Sequence, residues 1–242
     1  MNVRTRLAPG ELGETEPQGR VAVVIDVIRA STTIVAALDA GARRLVPVDS
    51  TEAAERRSAS YDDVRPLLCG EREGLPIRGF DLGNSPREFV AESVGDRDLV
   101  ITTTNGTRAL ERVRGAQAVL VACLRNLGAV ADELRRRGRP VLVVCAGRGG
   151  RVGLDDVWCA GLLVERLGAS GPVQPDDGAR VAMQTARGLG EPNAGALART
   201  EAGAALVRIG LGGDLDMCAS VDSSRMVPML TGEGLVPAGL RP

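Results

Sequence analysis

Residues of the kinds that hold anions and metal ions gather at four places in this 242-residue chain. Asp26, Arg29, Ser31 and Thr32 follow one apolar run, and Cys69, Glu71 and Arg72 follow another. Thr102 to Thr104, Asn105 and Gly106 follow a third. Cys145, Gly147 and Arg148 follow a fourth, with Asp155 and Asp156 just beyond. Helix starts offer free N–H groups and a positive dipole end. With hydroxyls and guanidiniums they make a receptor for an oxyanion. Carboxylates beside such a receptor suit a cation lying between them. Mg²⁺ takes oxygen ligands, commonly one or two carboxylates together with phosphate and water.

Composition removes several chemistries. The chain has no His, and all 30 basic residues are Arg. That excludes a Ser-His-Asp triad, a phosphohistidine, a Walker lysine and a pyridoxal Schiff base. Proton transfer is left to carboxylates, thiols, Tyr61 or metal-bound water. A net charge of -1 and only four aromatic residues give no surface for nucleic acid. No apolar run reaches membrane-spanning length, and the first residues, MNVRTRLAPGELGETEPQG, lack the apolar core of a secretion signal. The five Cys form no CxxC pair and read as reduced thiols, so a cytoplasmic location is expected.

The elements that must position these residues alternate. Residues 21–28 (VAVVIDVI), 44–50, 65–72, 98–104, 117–123 and 139–147 read as strands, with helical segments over 30–41, 51–60, 107–115 and 126–138. Residues 73–87, rich in Gly and Pro, read as an ordered loop. The order repeats: 43 positions separate Asp26 from Cys69, and 42 separate Thr103 from Cys145. This predicts an α/β fold with an internally duplicated βαβαβ unit, roughly 21–72 and 98–147, followed by a helical C-terminal segment. Helices are expected over 154–168, 179–189 and 194–212, and a short strand in a loop over 214–230. Two segments, 1–97 and 98–242, form either two domains or one two-lobed unit. In a parallel sheet, ligands bind beyond the carboxyl ends of the strands, where all four clusters fall.

Taken singly, each cluster has a plainer use. Asp26 can cap a helix, Asn105-Gly106 is a common turn, and Asp155-Asp156 favour a helix start. Two phosphatase motifs come close. Asp26-Val-Ile lacks the second Asp of the aspartyl-nucleophile phosphatases. Cys145 to Arg151 has the C-x5-R spacing of cysteine phosphatases, but Val144 replaces their His and Arg148 a usual Gly.

Several motifs together resemble the 2-phosphosulfolactate phosphatase family: Asp26-Val-Ile-Arg-Ala-Ser-Thr-Thr, Leu68-Cys-Gly-Glu-Arg, Gly79-Phe-Asp-Leu-Gly-Asn-Ser-Pro, Thr102-Thr-Thr-Asn-Gly-Thr-Arg, Val144-Cys-Ala-Gly, Leu154-Asp-Asp and Asp214-Leu-Asp-Met-Cys. The resemblance implies a three-layer α/β/α, Mg²⁺-dependent phosphatase acting on a small phosphorylated, sulfonated acid, as in coenzyme M biosynthesis. On this reading Asp26, Glu71 and Asp155 are candidate Mg²⁺ ligands, with Asp26 and Glu71 also catalytic. Arg29, Ser31, Thr32, Thr104, Asn105 and Gly106 would hold phosphate. Arg72 and Arg148 would meet the other anionic groups, with Asn84, Ser85, Cys145 and Gly147 also in the substrate site. A homodimer stays open. The rival readings are a small-anion binding protein without turnover and a phosphatase using Cys145 as nucleophile.

Overall fold

Apolar runs dominated by Val, Ile and Leu become strands here because both of their faces are covered. The computed structural model describes residues 1–239, and one sheet of 11 strands passes through them. In chain order these are β1 (Asn2–Arg6), β2 (Val21–Ile25), β3 (Arg44–Pro47), β4 (Leu67–Arg72), β5 (Leu75–Pro76), β6 (Asp98–Thr102), β7 (Ala118–Ala122), β8 (Val141–Cys145), β9 (Gln174–Pro175), β10 (Pro228–Thr231) and β11 (Gly234–Pro237). The helices are α1 (Ala30–Asp39), α2 (Thr51–Ala59), α3 (Ala91–Val94), α4 (Gly106–Arg112), α5 (Leu127–Arg137), α6 (Leu154–Ala169), α7 (Asp177–Leu189), α8 (Ala194–Leu197), α9 (Glu201–Arg208) and α10 (Leu215–Ala219).

Alternation along the central strands makes three layers. Val21, Val23 and Ile25 of β2, with Val141, Val143 and Cys145 of β8, face a core shared with α5, α6 and α7. Ala22, Val24, Leu142 and Val144 face the opposite core, shared with α1 and α4. This is the α/β/α arrangement, with helices on both faces of a mostly parallel sheet.

The strand order is β5-β4-β6-β3-β11-β10-β7-β2-β8-β1-β9. By position in the repeat, β2, β3 and β4 correspond to β6, β7 and β8. If the members of each pair are exchanged, the run β4-β6-β3 … β7-β2-β8 reads identically from its other end. The duplication is therefore present in an exchanged form. The leading strand of each segment lies between the second and third strands of the other. Thus β2 pairs in parallel with β7 and β8, and β6 pairs in parallel with β3 and β4. The antiparallel hairpin β10–β11 bridges the middle, β11 meeting β3 at Leu235 and Leu45, and β10 meeting β7 at Met229 and Leu120.

Two regions depart from the sequence reading. Residues 2–6 form β1, which pairs with β8 and β9 at the sheet's far side. Its alternation of Val3 and Thr5 inward with charged neighbours is too short to separate from a polar N-terminus. The stretch expected as a short strand in a loop opens instead with α10, and its strand is confined to Pro228–Thr231. Among the described residues, no helix is long and apolar enough to cross a membrane.

The exchanged order has a direct consequence. Residues 1–97 contain no parallel neighbour for β2, because both of its partners lie beyond residue 97. Expressed alone, fragment 1–97 should be unfolded by circular dichroism and amide NMR. Mixing it with fragment 98–242 should restore the native spectrum. A folded 1–97 would contradict this topology.

Candidate active site

Four strands separate β2 from β6 in the sheet, yet their carboxyl ends meet. A Cβ placed on Gly106 would lie 2.9 Å from an Asp26 carboxylate oxygen and 2.7 Å from Ala30 Cβ. Glycine is what lets the start of α4 come this close. The two ends are built alike. The Ala30 N–H donates to Asp26 Oδ1 at 3.2 Å, and the Thr107 N–H donates to Thr103 Oγ1 at 3.2 Å. In each case the side chain ending the strand accepts from the backbone four residues on.

Between these ends lies a cavity of about 460 Å³. Asp26, Ile28 and Arg29 line it from the β2–α1 loop, and Glu71, Glu73 and Gly74 from the β4–β5 turn. Asn84, Thr103, Thr104, Asn105, Arg148 and Gly149 come from three further loops. The α9 segment contributes Ala202, Ala205, Leu206, Arg208 and Ile209. Two buried polar atoms here have no partner: Asn84 Oδ1 and Thr104 Oγ1. A larger hollow of about 790 Å³ runs beside α5 and residues 222–227, and none of the strand-end residues reach it.

The remaining sequence candidates stand behind this wall. Ser31 Oγ accepts from the Asp26 N–H at 2.9 Å, and Thr32 Oγ1 donates to the Val27 carbonyl at 2.8 Å. Both therefore shape the β2–α1 loop, whose Ile28–Arg29 peptide bond is cis. Thr33, not singled out from sequence, donates to the Asn84 carbonyl at 3.0 Å and anchors that loop. Gly147 gives its N–H to Asp156. Arg72 is not brought to the cavity. Its guanidinium donates to Thr102 Oγ1 at 3.0 Å and to the Glu71 carbonyl at 2.7 Å. Cys145 points into the core under α6, fully buried. Burial and the nearby Asp156 and Asp155 push its thiol well above the usual range, the opposite of what a nucleophilic thiolate needs.

Arg29 is held rather than free. It donates to Asp214 Oδ2 at 2.8 Å and to the Gly74 carbonyl at 2.5 Å, and Ser85 donates to the other Asp214 oxygen at 2.6 Å. Arg29 and Asp214 side chains are each 3% exposed, so this is a buried ion pair. The pair brings Ser85 and the C-terminal segment to the site. Asp214 belongs to a quoted sequence motif, but nothing in its spacing says which Arg it meets.

Carboxylates crowd beneath the cavity: Asp26 lines it, and Asp155 and Asp156 are buried behind that wall. Burial, and then the charge of Asp155, raise Asp26 from 3.8 to about 7. Burial raises Asp155 to about 6 against opposing backbone N–H groups. Asp156 is raised well above its ordinary value by burial and by Asp155 and Asp26. Both Asp156 oxygens are already occupied, by the N–H groups of Val27 and Gly147, each at 2.8 Å. Both Glu71 oxygens likewise take N–H groups, from Thr104 and Gly74, each at 2.7 Å. Among the described residues no three acidic or thiol side chains stand together as a finished metal cluster. Asp26 and Asp155, buried and mutually repelling, are a donor pair that a cation would relieve. Two carboxylates suit Mg²⁺, which fills its remaining positions with phosphate and water oxygens.

Residues 7–233 match the family model described as 2-phosphosulpholactate phosphatase. The chain belongs to that family. Membership places it among phosphoric monoester hydrolases. A Deinococcus radiodurans protein named as a probable 2-phosphosulfolactate phosphatase is 48% identical over 221 residues, covering 90% of this chain and 91% of the relative. A Thermus thermophilus protein of the same name is 43% identical over 235 residues, covering 96% and 95%. The match spans both exchanged segments and α9, so every wall of the cavity lies inside the family's shared region.

The raised proton affinity of Asp26 makes stability depend on pH. An acid whose folded pKa exceeds its unfolded value binds a proton that the unfolded chain has released. Stability therefore falls as pH rises from about 4 to about 7. Asp26→Asn removes that cost and keeps an acceptor for the Ala30 N–H. In EDTA it should raise stability above pH 7 by on the order of 1–3 kcal/mol, at ~1.4 per pK unit. The gain should vanish near pH 4. Thermal melts across that range check it.

Proposed function

We propose that this chain hydrolyses 2-phosphosulfolactate to 3-sulfolactate and inorganic phosphate in the cytoplasm, with Mg²⁺ as cofactor. One observation carries the reading. Acidic, cationic and hydroxyl groups from four separate loops and from α9 converge on a single cavity at the carboxyl edge of the sheet. A receptor for anions alone has no use for buried Asp26 and Asp155 beside it.

Asp26 and Asp155 are the residues that would hold Mg²⁺. When bound, the ion neutralises phosphate oxygen charge and acidifies a water. Glu71 serves the site by fixing Thr104 and Gly74, since both of its oxygens accept backbone N–H groups. Arg29, oriented by Asp214, faces the phosphate with its remaining N–H groups. Thr104 Oγ1, buried without a partner, donates to another phosphate oxygen. Asn105 Oδ1 accepts from the Gly149 N–H at 3.2 Å, which ties the two phosphate-facing loops together. With no His or Lys in the chain, the attacking water gives its proton to a carboxylate, and Asp26 is one that lines the cavity. The transferred group passes between oxygens held in line, so positioning and charge neutralisation supply the rate.

Hydrolysis of 2-phosphosulfolactate should be lost after EDTA treatment and dialysis and return on adding Mg²⁺. Undiminished phosphate release from the stripped protein would refute the metal requirement. Cys145→Ala should keep activity within a few-fold of the wild type, whereas Asp26→Asn should lose at least a hundredfold. The reverse ranking would favour a cysteinyl-phosphate route.

A further inference from the structure

The cavity carries three guanidiniums, from Arg29, Arg148 and Arg208. They are not equivalent. Arg29 is committed to Asp214 and to the Gly74 carbonyl. Arg148 lies in the β8–α6 loop, where its charge favours the ionised form of Asp155. Arg208 comes from outside the α/β core, in the last turn of α9, and is exposed. Its guanidinium makes no hydrogen bond or ion pair with another described residue. Within α9, Ala202, Ala205 and Leu206 recur at helical spacing and form an apolar wall of mostly small side chains over the cavity. A cation at the mouth of such a wall has open space before it and no internal partner to satisfy.

The substrate class proposed above makes this arrangement consequential. Phosphate alone contributes about 1.5 to 2 negative charges near neutral pH. A carboxylate and a sulfonate bring the total to about four, while Asp26, Glu71 and Glu73 place further negative charge on the same wall. Since the charge of Arg29 is offset by Asp214, the groups that do not react need another receptor. A guanidinium free to pair through two N–H groups is suited to a planar carboxylate or to two oxygens of a sulfonate.

We infer that Arg208 is a specificity-determining residue. It receives the second strongly acidic group of the substrate, so that α9 rather than the sheet selects among phosphate monoesters. This rests on the proposed phosphatase reading, and it replaces Arg72, whose guanidinium is turned into the sheet edge. The shared chemistry is a strong oxyanion about one substrate length from the phosphate. The test separates sulfonate from carboxylate.

The experiment compares kcat/KM for four phosphate monoesters: 2-phosphosulfolactate, 2-phospholactate (no sulfonate), 2-sulfoethyl phosphate (no carboxylate) and p-nitrophenyl phosphate (neither). For Arg208→Ala, the preference for a substrate bearing a carboxylate or sulfonate beside its phosphate over p-nitrophenyl phosphate should fall at least tenfold, mostly through KM. Arg208→Lys should recover part of it. Arg180→Ala, an exposed change on α7 away from the cavity, should match the wild type, and melting temperatures should be equal for all variants. Whichever of 2-phospholactate and 2-sulfoethyl phosphate loses its advantage names the group that Arg208 meets. An unchanged preference in Arg208→Ala overturns the inference. If the wild type turns over p-nitrophenyl phosphate but not 2-phosphosulfolactate, the proposed substrate fails, while the other two esters still report on Arg208. If it turns over none, calorimetric binding of 3-sulfolactate decides. Tenfold weaker binding in Arg208→Ala supports the assignment, and equal or absent binding in both proteins rejects it.

Discussion

Two carboxylates hold the working edge of this protein together. Glu71 accepts the N–H groups of Thr104 and Gly74, and Asp156 accepts those of Val27 and Gly147. Thr104 and Val27 each lie two residues past the end of equivalent strands, β6 and β2. Gly74 and Gly147 each lie just past β4 and β8. Each carboxylate therefore ties the loop after a leading strand to the loop after its third-strand neighbour. Hydrogen bonds to a charged acceptor contribute about 1.5–3 kcal/mol each. Losing either acid would take the side-chain acceptor from two backbone donors, fully buried at Asp156 and part-buried at Glu71. Glycine makes one of these geometries available: Gly147 sits at φ +63°, with the Arg151 carbonyl oxygen only 2.1 Å from where a Cβ would be.

That bracing explains how so much like charge is tolerated at the floor. Asp26, Asp155 and Asp156 all sit under 7% exposed; burial raises the proton affinity of each, the charge of Asp155 raises that of Asp26 and Asp156 further, and Asp26 adds to that of Asp156. Buried carboxylates without compensation are expensive. Here Asp156 is compensated by two N–H groups, which leaves Asp26 and Asp155 as the pair that answers to a bound cation. On the opposite side, the Arg29–Asp214 pair is neutral as a unit and serves as a rigid wall. Removing Asp214 alone would strand a buried guanidinium.

Much of this was legible in the amino-acid sequence. The β-branched runs, the Ser/Thr and Asn-Gly starts of α1 and α4, and the matched spacing of the two segments all follow local rules. They placed Asp26, Arg29, Thr104, Asn105 and Arg148 at one edge. What was not legible is whatever depends on long-range partners. Spacing is blind to strand exchange, because a βαβαβ unit has the same sequence pattern whether its strands pair with each other or with a copy. Arg72 and Arg148 look alike in sequence, yet one is spent on Thr102 and the other faces the cavity. Arg208 belongs to a segment with only helical periodicity to read, which does not say which helix face covers a distant loop, and the motif that opens with Asp214 does not say which Arg it meets. Ser31 and Thr32 stand behind the cavity wall and brace the β2–α1 loop, a role that only hydrogen-bond partners reveal.

The exchanged strands also bear on how a lopsided reaction can arise on a symmetric frame. Two identical chains related by a twofold axis must end their leading strands in the same residue, so an acid on one side forces an acid on the other. Covalent linkage of the two copies removes that obligation. Here one end keeps Asp26 and the other carries Thr103, each holding the same backbone N–H four residues on. The scaffold role is preserved on both sides while the chemistry differs: an ionisable oxygen faces a neutral hydroxyl across the cavity. Phosphoryl transfer distinguishes an attacking from a departing oxygen, and a site whose two halves have stopped being copies can do the same.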